Sequence, residues 1–283
     1  MIFRGDNNLP VILAGQAAVH RPHSGEGRRI AMIKITDLTK RYGDFLAVDA
    51  LNLEVGEGEI FGFLGPNGAG KTTTIRMMMG ILKPTSGRVL LGGYDVEREP
   101  EKAKAMAGFI PDRPFIYEKL SGNEFLQFAG KLRSVETKRL RRRAAEMLEQ
   151  LDLTRWQDER IEGYSHGMKQ RLVVCAALLH DPSILIVDEP MVGMDPRGAR
   201  TLKDLFRALA DNGTTVFFST HSIGMAEEIC HRIGIIQSGQ LVACGSMAEI
   251  HGRSQNKEGN LESVFLELTL EQRSGEGAAL AVC

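Results

Sequence analysis

Apolar and polar positions along the chain change period several times, and each change marks an element. From Met32 the run Met32-Ile33-Lys34-Ile35-Thr36-Asp37-Leu38 alternates as a half-buried strand does. Tyr42-Gly43-Asp44 turns into Phe45 to Val48, and a second alternating run spans Leu51 to Val55, so the start of the chain predicts antiparallel sheet. Glu59 to Leu64 is a short buried strand, Thr74 to Met79 a helix ending near Gly80 before Pro84, and Gly87 to Leu91 with Gly92-Gly93 a further hairpin piece. Ala107 to Asp112 then leads out of the sheet. Helical spacing takes over from about residue 121 to 152, with Leu140, Ala144, Met147, Leu148 and Leu151 on one stripe. Tyr164 to Arg171 opens another helix, Leu172 to Leu179, which Asp181-Pro182 stops. Ile184 to Val187 is apolar without alternation, the mark of a parallel strand covered on both faces. Thr214 to Phe218 is a further buried strand, and Ile233 to Ile236 with Gln240 to Ala243 form a last hairpin around Ser238-Gly239.

The two ends break this pattern. Residues 1 to 31 hold one brief apolar run, Leu9 to Ala14, among Pro, Gly and Arg, and are expected to be a disordered arm or an over-extended reading frame before a true start at Met32. Residues 252 to 283 predict a polar linker, a short helix over Leu261 to Leu270 and a flexible tail. The 35 basic and 36 acidic residues leave a formal net charge of −1, so no global field favours nucleic acid. The basic run Lys138, Arg139, Arg141, Arg142 and Arg143 has no interleaved aromatics and predicts a solvated helix face. No apolar run approaches the roughly 20 residues that span a bilayer. Cys175, Cys230, Cys244 and Cys283 form no C-x-x-C pair, which fits reduced thiols better than a disulfide or zinc framework.

Candidate chemistry centres on Gly65-Pro66-Asn67-Gly68-Ala69-Gly70-Lys71-Thr72-Thr73, a full match to G-x-x-x-x-G-K-[ST] between a predicted strand and helix. Glycines let backbone N–H groups approach phosphates, the helix start adds partial positive charge, Lys71 adds a full one, and Thr72 offers a hydroxyl to Mg²⁺. Asp188 and Glu189 end the apolar strand Ile184 to Val187, where a ligand on the phosphate loop is within reach. Asp188 is the expected metal ligand through water and Glu189 the expected acceptor of the attacking water's proton. His221, at the end of a second buried strand, is the candidate γ-phosphate sensor.

In order and spacing, Gly65 to Thr73, Tyr164 to Gln170, Ile184 to Glu189, Gly193-Met194-Asp195 and His221 resemble the nucleotide-binding subunit of an ABC transporter. The likeness covers about residues 32 to 250. It implies an α/β fold: a P-loop NTPase core with a mainly parallel sheet, an N-terminal antiparallel β subdomain and an inserted α-helical lobe at about 113–165. The cassette would run over 32–251. It also implies ATP and Mg²⁺ as cofactors and a head-to-tail dimer in which Ser165 and Gly167 of one subunit close over the γ-phosphate held by the other. By the same resemblance Tyr42 stacks on adenine, Asp195 belongs to a loop crossing the dimer, and His221 contacts the γ-phosphate. Tyr42 read by itself serves equally as turn packing.

This sequence departs from the family at Tyr164 (usually leucine), His166 (usually glycine) and Asp112 (usually glutamine). Asp112 is shorter by a methylene and charged, and ligation of Mg²⁺ through a water is its expected mode. Phe115-Ile116-Tyr117 lies where family members receive a helix of the membrane subunit; packing of the lobe is the other reading. The ending Leu261 to Leu268 is similar to tails of subunits paired with small export permeases (ABC-2-like). The expected function is an ATPase subunit on the cytoplasmic face of the inner membrane, driving export through a separate permease as a homodimer or beside a paralogous ATPase subunit. The alternative is a soluble ABC-type ATPase acting on nucleic acid or ribosomes. It is disfavoured by the single cassette and near-neutral charge.

Overall fold

Two sheets, each following from one kind of apolar pattern, organise the chain. The computed structural model describes residues 31–113, 115–191, 194–252, 265 and 283. The expectations for residues 1 to 30, for Gly193 and for most of the C-terminal linker, helix and tail lie outside the described residues.

The first sheet is antiparallel, with order β2-β1-β4-β5, built from β1 (Ala31–Tyr42), β2 (Phe45–Gly56), β4 (Ser86–Leu91) and β5 (Tyr94–Asp95). The separate runs expected on either side of Ala50 are one continuous strand. Residues Asp37 and Ala50 bulge there with φ of 47° and 43°. Asn52 and Thr39 side chains take up the freed backbone N–H groups of Asp37 and Ala50, each at 3.0 Å, which is why the ladder survives the irregularity.

The second sheet has order β10-β9-β3-β8-β7-β6, formed by β3 (Ile60–Leu64), β6 (Ala107–Ile110), β7 (Ile184–Asp188), β8 (Thr215–Thr220), β9 (Arg232–Gln237) and β10 (Gln240–Ser246). All its neighbours pair in parallel except β9 with β10. Residues 107–110 therefore join the sheet as its edge strand before the chain leaves it. Central strands are buried along their whole length, and alternate residues serve opposite faces. Ile184, Ile186 and Phe217 pack under the antiparallel sheet with Phe61 and Phe63. Leu185, Val187, Val216 and Phe218 pack against the helices of the other side. This two-faced burial is the reason those strands show no polar alternation.

Helix α1 (Lys71–Met78) follows β3 directly, and α2 (Pro100–Met106) precedes β6. The helical stretch predicted over 121–152 is two helices, α3 (Gly122–Leu132) and α4 (Thr137–Gln150). Ser134 breaks it with φ of 55°, and the Glu136 carboxylate accepts from the N–H groups of Lys138 and Arg139 to start α4. Helix α5 (His166–Leu178), which follows the lobe, packs against them. α6 (Pro196–Asp211), α7 (Ile223–Ile229) and α8 (Met247–His251) are additions to the sequence-based expectation. Buried Leu202, Leu205, Phe206 and Leu209 do recur at helical spacing in α6, so its signal was present in the chain.

The expectation for the basic run is corrected in part: on α4, Arg139 and Arg143 both bind Asp181, at 2.5 Å and 2.6 Å, and Arg143 is buried while Arg139 stays half-exposed. A carboxylate on the turn after α5 draws them inward. Among the cysteines, Cys175 and Cys230 are free, and Cys283 lies against Cys244 with its carbonyl accepting from the Glu54 N–H of β2. Among the described residues no helix is long and apolar enough to cross a membrane.

Candidate functional site

Strand register assembles the site. β7 pairs with β8 so that Asp188 faces Ser219, and β3 pairs with β8 so that Leu64 faces Thr220. The Gly65 N–H then donates to the Thr220 carbonyl at 3.4 Å. The start of the phosphate loop and the ends of β7 and β8 consequently lie at one level, the carboxyl edge of the parallel sheet, where open α/β folds bind ligands.

Within the loop, glycine is forced at two points. A Cβ on Gly65 would lie 2.4 Å from the Ile236 carbonyl oxygen, and one on Gly70, whose φ is 111°, would lie 2.7 Å from that of Ala47. Gly70 precedes α1 without a side-chain cap, so the first N–H groups of that helix face the loop. Asn67 and Gly68 are exposed at its tip, and Thr72 and Thr73 are half-buried on the first turn of α1.

Lys71 is buried, and its ammonium donates to the Gly65 carbonyl at 2.7 Å and the Pro66 carbonyl at 3.2 Å. It also lies 3.5 Å from Glu189 Oε1. Glu189 takes φ of 48° just past β7, a rare conformation for a non-glycine residue. Its N–H donates to the carbonyl and hydroxyl oxygens of Ser219, and its Oε2 lies 2.9 Å from His221 Nδ1. Lys71, Glu189 and His221, drawn from three separate parts of the chain, are therefore joined in one row.

Behind them Asp188 is almost wholly buried and accepts from the Ser219 hydroxyl. Burial raises its pKa above the ordinary carboxylate value; hydrogen bonds from Ser219 and Thr72 oppose this, and the nearby charges of Asp112 and Glu189 add to it. Asp112 lies two residues past β6, on the exposed side of the same level. A buried Asp188 with two further carboxylates close enough to raise its proton affinity fits a site completed by a cation. Among the described residues no three His, Cys, Asp or Glu side chains gather tightly enough to hold a metal alone. A divalent cation here would take Thr72 and Asp188 and depend on nucleotide phosphates for the rest.

Other predicted residues stand apart. Tyr42 is exposed at the tip of the β1–β2 hairpin, opposite Phe45, with the Lys40 ammonium 5.2 Å from its ring centroid. Ser165 caps α5, accepting from Met168 N–H at 3.3 Å, and with Gly167 makes no bond to the Lys71 row among the described residues. Tyr164 is buried, its hydroxyl donating to the Trp156 carbonyl at 2.5 Å, so the departure from leucine is absorbed inside the lobe. Asp195 caps α6 through Gly198 N–H at 2.6 Å. Ser219 is the residue whose role sequence reasoning missed: it holds both Asp188 and Glu189, and only its place at the end of a buried strand hinted at it.

The family profile described as "ABC transporter" matches residues 48–192. The chain is 38% identical over 78% of its length, and 71% of the other's, to the linearmycin resistance ATP-binding protein LnrL of Bacillus subtilis. It is 35% identical to the daunorubicin resistance ATP-binding protein DrrA3 of Streptomyces coeruleorubidus, over 88% and 77% of the two chains. A solved ATP-binding subunit of an ABC transporter superposes with TM-score 0.79 at 28% identity, covering 84% of this chain and 99% of that one. The dimeric bacterial ABC transporter cassette MJ0796 superposes with TM-score 0.70 at 26% identity, over 76% and 98%.

Proposed function

The chain belongs to the ABC transporter ATP-binding family, and from that premise we propose that two copies close head to tail over ATP and drive export through a separate integral-membrane permease. It is an ATPase that works with ATP and Mg²⁺. The observation that carries the reading of its site is the row Lys71, Glu189 and His221 at the end of the phosphate loop, backed by Asp188 and Thr72.

The roles follow from placement. Backbone N–H groups of Gly65, Asn67, Gly68, Gly70 and Thr73, with the start of α1, cradle the β- and γ-phosphates. Lys71 exchanges its loop carbonyls for phosphate oxygens, which carry more charge. Thr72 and Asp188, with Asp112 through water, hold the Mg²⁺, which when bound neutralises charge on the phosphates. Glu189 accepts a proton from water as its oxygen bonds to the γ-phosphorus and the bond to the ADP oxygen breaks. His221, bonded to Glu189 Oε2, keeps that carboxylate turned toward the phosphate. Tyr42 supplies a stacking face for adenine, and Ser165 and Gly167 at the exposed start of α5 supply N–H groups to the partner copy's γ-phosphate.

We assign the cassette to residues 32–251, with the helical lobe at about 113–165. The cytoplasmic face of the membrane, reached through the permease, is its proposed location. Support for export comes from relatives that are named for drug resistance. Replacing Glu189 by Gln tests the assignment: ATP binding persists while turnover falls by about 10²–10⁴-fold. Unchanged turnover in a purified E189Q sample sinks the general-base role. Isolation of the tagged chain from gently solubilised membranes tests the rest; a soluble complex with ribosomes or DNA and no multi-span protein refutes the permease partner.

A further inference from the structure

The helical lobe holds a second concavity, away from the phosphate loop, with a volume of about 420 Å³. That lies within the size range of small-ligand pockets. One wall is α3, from which Asn123, Gln127 and Lys131 project at successive four-residue steps along one face. The other is α4, contributing Arg141 above a floor of Ala145 and buried Leu148. Gln157 closes the end, its backbone carbonyl fixed by Asn123 N–H at 2.8 Å.

Its chemistry is one-sided. Two cations and three amides line it, and no Asp or Glu does. Most neighbouring cations of the lobe are paired: Arg139 and Arg143 with Asp181, Arg142 with Glu146, Lys119 with Glu162, Lys169 with Glu118. Among the described residues neither Lys131 nor Arg141 has a carboxylate partner, and these are the two that face the cavity. A concave site with two uncompensated cations and amide donors on an apolar floor selects for negative charge and oxygen acceptors.

We propose that this cavity binds a small soluble polyanion bearing phosphate or carboxylate groups, separately from the ATP site. Arg141 and Lys131 clamp the anionic oxygens, and Asn123, Gln127 and Gln157 donate amide hydrogens to them. The ligand bridges α3 and α4 and so bears on the lobe as a unit.

Trp156, the single tryptophan of the chain, is adjacent to Gln157 and partly exposed, which makes it a native reporter. The full chain is titrated with pyrophosphate and with citrate while its emission is followed, against NaCl at equal ionic strength. Expected is a saturable change in wild type and in Lys71→Ala, whose phosphate loop is disabled. In the Lys131→Gln/Arg141→Gln variant the apparent affinity weakens by roughly tenfold or more while ATPase activity is retained. If the double variant does not fold, Arg141→Gln alone, at an exposed helix position, is read in the same way, and Arg141→Lys should retain binding. A response that disappears in Lys71→Ala locates the anion on the phosphate loop and overturns the proposal. So does a response that the cavity variants leave unchanged, or that NaCl reproduces, or the absence of any response.

Discussion

Asp112 acts on Asp188 through charge, raising that buried carboxyl's proton affinity. Asp112→Gln removes that charge and restores the family's longer amide, so ATPase activity is expected to be kept or raised; abolished turnover would show that this carboxylate has a specialised role. Gly65 gives the opposite expectation. A methyl group there meets the Ile236 carbonyl at 2.4 Å, backbone against backbone, with no flexible end to yield. Gly65→Ala should weaken ATP binding by about tenfold or more, because a displacement of the loop near 1 Å breaks several N–H contacts to phosphate at once; equilibrium binding of a fluorescent ATP analogue checks it. The phosphate loop and the acidic pair were legible because each is local in sequence. Ser219 was not, because its bonds to Asp188 and Glu189 exist only once β7 and β8 lie side by side.

Elements are held to one another by polar groups that the apolar pattern does not report. Arg139 and Arg143 of α4 both reach Asp181 on the turn between α5 and β7, tying the lobe to the parallel sheet. Asp181→Asn tolerates the local φ of 52° but takes the charge from one of the two carboxylates that buried Arg143 binds, leaving Glu146 at 3.1 Å, and should lower stability by about 1 kcal/mol in chemical denaturation. The neighbouring His180 sets a pH dependence. Its Nε2 lies 3.2 Å from the Ala107 carbonyl, its Nδ1 is buried without a partner, and burial, reinforced by Arg133, lowers its pKa to about 4. A folded-state pKa below the unfolded value near 6.5 means that the unfolded chain binds the proton first. This contribution is therefore complete above about pH 6.5 and is lost as pH falls toward 4, by at most about 3 kcal/mol. His180→Gln, which keeps a donor to Ala107 without titrating, should flatten the denaturation midpoint across that window.

At the scale of the whole molecule, the two halves of the proposed ATP site are both present in one chain but do not meet within it. Ser165 is exposed at the start of α5, unconnected to Lys71, Glu189 and His221, so the proposed closure needs the start of α5 from another ATPase subunit, which a second copy in isologous contact would supply. The Glu189→Gln protein should elute as a dimer in ATP and Mg²⁺ and as a monomer without nucleotide. Adding Ser165→Arg should leave nucleotide binding within a few-fold of the parent while preventing that dimer, since the arginine occupies the space between subunits. An unchanged ATP-bound dimer in the combined variant would place the interface elsewhere.

The chain by itself determined the class of fold, the place of the glycine-rich loop between strand and helix, and the acidic pair at the end of an apolar strand, because strand period, unbroken apolar runs and a nine-residue turn are all encoded by neighbours in sequence. Tertiary structure alone decided which strand ends share a level, that β6 joins the sheet edge, and that Glu189 lies between Lys71 and His221. It also decided that two arginines of a seemingly solvated run turn inward to Asp181 while Arg141 faces a cavity instead. Local periodicity specifies which face of an element is buried. Charge pairing and register depend on what another element, distant in sequence, presents to that face.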